Sequence, residues 1–264
     1  MCYHWHAMSD QDHQTPKQQR INLHVHSTWS DGAHVPRDLV RSAVVHGLTH
    51  IGISDHYLTR KLSSPQFCVG PDDVAAYAAD IREVADDHAR WLDVLVGLEV
   101  DWSARAAPYL AALRPQVGEL DYLLFEYVDD AAWEGDSLEA LLALRPSLPL
   151  PVGLAHNDLS ANLSERYAPE ALVELLEAND LFLELPTAPQ TGYYRAQDPY
   201  TLRVWACLAE SGVRYSVGSD VHQRIDAVAE VDDAHQFLEE RGLCDQLITR
   251  WWDGAVRRWR EAAP

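Results

Sequence analysis

Seven short apolar runs alternate with longer amphipathic segments between Ile21 and Gly218, and this regularity leaves few folds open to the chain. Ile21–His26, His50–Ser54, Leu92–Val100, Asp121–Val128, Val152–Ala155, Leu181–Leu185 and Arg214–Gly218 have the length and content of buried strands. Pro36–His46, Pro71–Arg90, Pro108–Val117, Asp136–Leu144, Pro169–Asn179 and Pro199–Gly212 read as helices. Proline suits a first helical turn, where its missing N–H leaves no hydrogen bond unmade, and Gly47 ends the first helix. The remainder to Arg260 reads as helical with a break near Gly242. Strict strand–helix repetition joins parallel strands by right-handed crossovers. Seven such units without an interdomain linker predict one domain, residues 21–264, built as a closed or nearly closed α/β barrel. A doubly wound open sheet is the alternative. Residues 1–20 are polar and aperiodic, which predicts a disordered tail.

Composition narrows the partners. The formal net charge is -20, from 41 acidic against 21 basic residues, and such a surface repels phosphate backbones and anionic lipid. Duplex nucleic acid is therefore excluded as a partner. No uncharged apolar run approaches the roughly 20 residues that span a bilayer, so no membrane partner is expected. The four cysteines are scattered and form no CxxC pair, which argues against a thiolate zinc knuckle. Free cysteines and the lack of a basic-then-apolar leader predict a cytoplasmic protein.

The strand ends carry the chemistry. The first ends in His24-Val25-His26, with Asp31 following in Ser30-Asp31-Gly32, and the second ends in Asp55-His56. The third ends in Glu99, the fourth carries Glu126, the fifth ends in His156, the sixth carries Glu184, and the seventh ends in Asp220-Val221-His222. Residues i and i+2 of a strand share a face, so His24 and His26 can grip one ion together, as can Asp220 and His222. In a parallel barrel the active site lies at the C-terminal ends of the strands. Imidazole and carboxylate donors without sulfur suit zinc, manganese or iron.

These residues also carry a family resemblance. Leu23-His24-Val25-His26-Ser27-Thr28-Trp29-Ser30-Asp31-Gly32 resembles the first motif of the polymerase-and-histidinol-phosphatase (PHP) superfamily. Ser54-Asp55-His56, Gly97-Leu98-Glu99 and Ser219-Asp220-Val221-His222 resemble later motifs, in the expected order. The resemblance implies a distorted (β/α)7 barrel, two or three divalent ions and phosphoester hydrolysis. Matched by position, it implies that His24, His26, Glu99 and Asp220 hold one ion and carry catalysis through the water bound there. Glu99 would bridge to a second ion that also takes His156, and Asp31, His56 and His222 would hold a third. Asp55 is read as orienting neighbouring imidazoles rather than as a ligand. One position departs from the pattern: Val128 stands where the family has a histidine at the end of the fourth strand. Glu126 has the same strand parity and is the candidate replacement.

Clustered divalent ions lower the pKa of a bound water and neutralise charge on phosphoryl oxygens in the transition state. A phosphate monoester also needs a cationic clamp. Arg60 and Lys61 after the second strand and Arg195 after the sixth are the candidates. The resulting expectation is a metal-dependent phosphatase acting on a small phosphorylated metabolite, histidinol-phosphate-like or nucleotide-like. A phosphodiesterase or C–N hydrolase on the same site, or a catalytically eroded metal-binding module, is the alternative. Oligomeric state is not encoded in any of these features.

Overall fold

The computed structural model describes residues 19–57, 68–103 and 106–248. Its strands are β1 (Ile21–Asn22), β2 (His50–Ile53), β3 (His56–Tyr57), β4 (Asp93–Asp101), β5 (Tyr122–Glu126), β6 (Val152–Leu154), β7 (Leu181–Pro186) and β8 (Tyr215–Gly218). All pair in parallel in the order β1-β2-β4-β5-β6-β7-β8, and β3 also pairs with β4. Ile53 faces Val96 and His56 faces Glu99, so β2 and β3 are one strand interrupted at Ser54-Asp55 with its register unchanged. That leaves the seven-strand count of the sequence intact.

The sheet closes on itself. Leu23 N donates to Val217 O, Asp220 N to His24 O and His26 N to Val221 O, at 2.7, 2.9 and 3.1 Å. These bonds exclude the open-sheet alternative. The helices α1 (Pro36–Val45), α2 (Val74–His88), α3 (Ala106–Leu113), α4 (Leu138–Leu144), α5 (Leu159–Leu163), α6 (Pro169–Ala178), α7 (Pro199–Leu208) and α8 (Asp232–Glu240) connect the strands or follow the last of them. Proline starts α1, α6 and α7. Ser137, Asp158 and Asp198 cap α4, α5 and α7 by accepting backbone N–H groups of the first turn. Among the described residues no helix is long and apolar enough to cross a membrane.

The barrel interior is filled rather than hollow. The Tyr122 ring occupies space made by Gly52 and Gly97, since a Cβ on either would collide with it, and its hydroxyl donates to Leu23 O at 2.5 Å. From outside, the Tyr77 hydroxyl of α2 accepts the Asp55 N–H and sits 2.9 and 2.8 Å from the carbonyls of Ile53 and Gly97. It satisfies the backbone where β2 breaks, so the interruption leaves no buried polar group stranded.

Several boundaries differ from the sequence expectation. Only Ile21–Asn22 pairs as a regular strand; beyond it, Val25 keeps an isolated parallel bridge to Val221 while its carbonyl accepts the Ser54 N–H at 3.0 Å. The fourth expected strand stops at Glu126, since Tyr127 (φ 63°) and Asp129 (φ 56°) are left-handed. The expected helix Pro108–Val117 starts at Ala106 and gives way to a 3-10 turn, Arg114–Glu119, whose second residue is a proline. The region after β8 is not one helix. It is a 3-10 turn at Ile225–Ala229, α8, Gly242 at φ 68° and a second turn at Cys244–Gln246. Its expected continuation to Arg260 runs beyond the described residues, as does most of the expected tail.

Candidate metal centre

The chain delivers nine imidazole and carboxylate side chains to the C-terminal rim of the barrel. Those on the floor are sealed from solvent: His24, His26, Glu99 and Glu126 are 0% exposed and His56 1%. The side chains of His156, Asp220, Asp31 and His222 form a more open edge at 11%, 16%, 26% and 27%. Glu99 is the hub. Its Oε1 lies 2.8 Å from His156 Nε2 and 3.3 Å from His24 Nε2, and its Oε2 lies 2.7 Å from His56 Nδ1 and 3.5 Å from His26 Nε2. Asp220 Oδ1 reaches His26 Nε2 at 3.1 Å and His24 Nε2 at 3.7 Å. Asp31 Oδ1 reaches His222 Nε2 at 3.2 Å, and His26 Nδ1 and His56 Nε2 at 3.8 Å each.

Glu126 points into the cluster between His56 and His156. Its Oε1 is 3.7 Å from His56 Nδ1 and its Oε2 is 3.8 Å from His156 Nε2. Val128 itself is buried beyond the left-handed Tyr127, so the strand parity that linked it to Glu126 does not extend that far.

Three groups of donors converge: His26, Asp31, His56 and His222; His24, His26 and Glu99; and His56, Glu99 and Glu126. Within each group all the offered atoms lie within 4.8 Å of one another. The Nε2 atoms of His24 and His26 are only 3.0 Å apart. Two imidazole lone pairs at that distance repel unless a proton or a cation lies between them. The donor set is imidazole and carboxylate throughout, so the residues present fit divalent transition ions.

The site's electrostatics follow from burial set against charge. Burial alone would lower the His24 pKa, but the carboxylates of Glu184 and Glu99 outweigh it and hold the group well above its ordinary value. His156 behaves alike: burial opposes the proton, Glu99 favours it more, and its pKa is raised to about 9. His26 goes the other way, to about 3, through burial and the neighbouring rings of His56 and His222. Asp31 is lowered to about 2, because the hydrogen bond from His222 and the charges of His26 and His56 overcome its burial. Two rim residues adopt a backbone rare for side-chain-bearing residues, His156 at φ 26° and Asp220 at φ 50°. Such strain often marks functional positions.

Two surrounding carboxylates play parts that sequence reasoning did not give them. Asp55 hydrogen-bonds to two serines, one of which stands between it and an imidazole. Its Oδ1 accepts the Ser27 N–H at 2.8 Å and the Ser30 hydroxyl at 2.5 Å, and its Oδ2 accepts the Ser27 hydroxyl at 2.7 Å. It therefore shapes the loop carrying Asp31, and reaches His26 only through Ser30, whose Oγ is 3.4 Å from His26 Nδ1. Glu184, noted only as a strand-end acid, contacts His24 Nδ1 and the His156 N–H at 2.8 and 2.7 Å. The signal available was its position as the one acid in an apolar strand, which pointed it inward without naming its partners.

The expected phosphate clamp is not assembled in the same way. Arg195 Nε and Nη2 donate to the Asp233 carboxylate at 2.6 Å each, and Nη2 also donates to the Asp233 carbonyl at 2.9 Å. Tyr194 joins the same carboxylate at 2.6 Å, so this loop is fastened to α8. An arginine fork matches a carboxylate as well as it matches a phosphate, which is why its position after β7 did not reveal the partner. Arg60 and Lys61 lie outside the described residues.

Residues 22–188 match the PHP domain family. Comparison with curated protein sequences gives no match. Among solved structures, the chain resembles histidinol phosphate phosphatase from Lactococcus lactis, crystallised with zinc, L-histidinol and phosphate. The TM-score is 0.59 at 17% identity, covering 85% of this chain and 94% of that one. A putative histidinol phosphatase from Listeria monocytogenes gives 0.57 at 14%, covering 83% and 99%. A chain from the structures of YwqE of Bacillus subtilis and CpsB of Streptococcus pneumoniae, described as metal-dependent tyrosine phosphatases, gives 0.50 at 20%, covering 83% and 86%. At these identities the likeness is one of fold, whereas the family match spans more than half of the chain and includes four of its five histidines at the rim. The chain belongs to the PHP domain family.

Proposed function

We propose that this chain is a metal-dependent phosphoric ester hydrolase that acts on a small phosphorylated metabolite. The observation that carries the reading is the convergence of three donor groups that share His26, His56 and Glu99 at the mouth of the barrel. In this reading His24, His26, Asp31, His56, Glu99, Glu126, His156, Asp220 and His222 hold two or three ions. Divalent ions bound there supply an acidified water and positive charge opposite the phosphoryl oxygens. The protein's own residues fix the geometry. Glu99, sealed from solvent and in reach of four imidazoles, holds the donor groups at a set spacing. The floor excludes bulk water, and the half-exposed edge formed by Asp31 and His222 is the side open to substrate. Arg195 contacts a substrate phosphate only by exchanging Asp233 for it. The pair is 39% and 59% exposed, so that exchange costs little.

The test is phosphate release by metal-replete protein over a panel of phosphorylated metabolites. The panel begins with histidinol phosphate, nucleoside monophosphates and phosphotyrosine, the first and last because the fold neighbours act on such esters. His24→Ala and Asp220→Ala should each reduce the best activity by more than a hundredfold while leaving the circular dichroism spectrum unchanged. Phosphate release that survives both substitutions would remove the cluster from the reaction.

A further inference from the structure

Glu184 is buried near the end of β7 and belongs to none of the three converging donor groups, yet it touches His24, a member of one of them, and His156, whose ring reaches Glu99. Its Oε1 lies 2.8 Å from His24 Nδ1, on the side of the ring away from the cluster, and its Oε2 accepts the backbone N–H of His156 at 2.7 Å. A carboxylate can only accept. In its neutral form, the one that can bind a cation, His24 must then carry its proton on Nδ1, which leaves Nε2, 3.0 Å from His26 Nε2, with its lone pair toward the cluster. The second oxygen holds a backbone that has little intrinsic reason to stay where it is, since His156 sits at φ 26°. The space for this carboxylate depends on Gly218, where a Cβ would collide with both Glu184 Oε1 and His24 Cβ. Among the described residues its hydrogen bonds go to His24 and His156, and not to the remaining group of His26, Asp31, His56 and His222.

We infer that Glu184 is a positioning residue that sets the ring tautomer of His24 and the backbone of His156 together, and so controls the inner part of the metal centre but not the Asp31–His222 part. The inference rests on the reading of the cluster as a metal centre. Partners of this kind, one atom removed from the ion, typically change affinity by about 10- to 100-fold when altered. Glutamine is a demanding substitution here. It matches Glu184 in shape but presents one donor, which must face either the His24 Nδ1–H or the His156 N–H.

The experiment compares tightly bound zinc per chain, and its affinity by competition with a chromophoric chelator, for the wild type, Glu184→Gln, Glu184→Asp and Asp31→Asn. Glu184→Gln should weaken the inner zinc by about 10- to 100-fold. It should keep the equivalent that Asp31→Asn loses, and Glu184→Asp should recover part of the difference. Unchanged zinc number and affinity in Glu184→Gln, whatever happens to its melting temperature, would make Glu184 structural only and overturn the inference. If Glu184→Gln does not fold, the wild-type zinc protein decides through the imidazole 15N resonances of His24. They should report a protonated Nδ1, and a protonated Nε2 would overturn the inference. A wild-type chain that binds no zinc would instead defeat the metal-centre reading itself.

Discussion

At the scale of single residues, the centre is a competition between protons and cations. In the metal-free protein the pKa of His156 is raised to about 9, and that of His24 is also raised, because carboxylates outweigh burial. A raised pKa means that these protons stabilise the fold fully below the unfolded value near 6.5, and that this contribution fades as pH climbs through about 9. Cations must displace the same protons, so apparent metal affinity should rise with pH up to about 9, with protons released on binding. Calorimetric titration with zinc at pH 7 in two buffers of different ionisation enthalpy checks this. Heats independent of the buffer would contradict it. Glu126 offers a sharper residue-level test. It lies between His56 and His156 and is the candidate replacement for the histidine that the family pattern places at Val128. Glu126→Ala should lower the bound metal by about one equivalent, and Glu126→His should restore it with a preference shifted from manganese toward zinc, the softer-ligand choice. Full occupancy in Glu126→Ala would make Glu126 structural.

At the scale of elements, the strand ends were legible because parallel strands place every i, i+2 pair on one face and every C-terminal end on one rim. His24 with His26 and Asp220 with His222 are read directly from that rule. What was hidden depends on contacts between distant segments. The break of β2 at Asp55 becomes visible only with the Tyr77 hydroxyl that supports it, and the pairing of Glu184 with His24 joins positions 160 residues apart. The short α5 was missed because a single turn opened by Asp158 has no hydrophobic period to detect. The position of Arg195 after the sixth strand suggests a phosphate clamp, and nothing in the local sequence announces its pairing with Asp233. The packing inside the barrel gives its own test. Gly97 and Gly52 exist to admit the Tyr122 ring, so Gly97→Ala should reduce unfolding free energy by about 1–3 kcal/mol, the usual cost of overpacking. Trimming the ring in Gly97→Ala/Tyr122→Leu should return part of that loss, because residues in contact are coupled. Urea denaturation of the two variants measures both effects, and an unchanged midpoint in Gly97→Ala would show that the ring moves aside freely.

At the scale of the whole molecule, a closed parallel barrel turns seven unrelated strand ends into one constellation. The overall charge of -20 makes the chain a poor host for polyanions. Divalent ions held at the rim would reverse that sign locally, so that a single phosphate could approach where a nucleic-acid backbone is repelled. The claim on which the account depends is that hydrolysis tracks occupancy of this centre. The direct measurement is to strip the protein with chelator, verify by elemental analysis that it is empty, and follow phosphate release from its best monoester as zinc, manganese or iron(II) is added back. The account predicts no activity in the stripped protein and a rise that saturates at two or three equivalents per chain, absent in His24→Ala. Undiminished activity in the metal-free protein would contradict it.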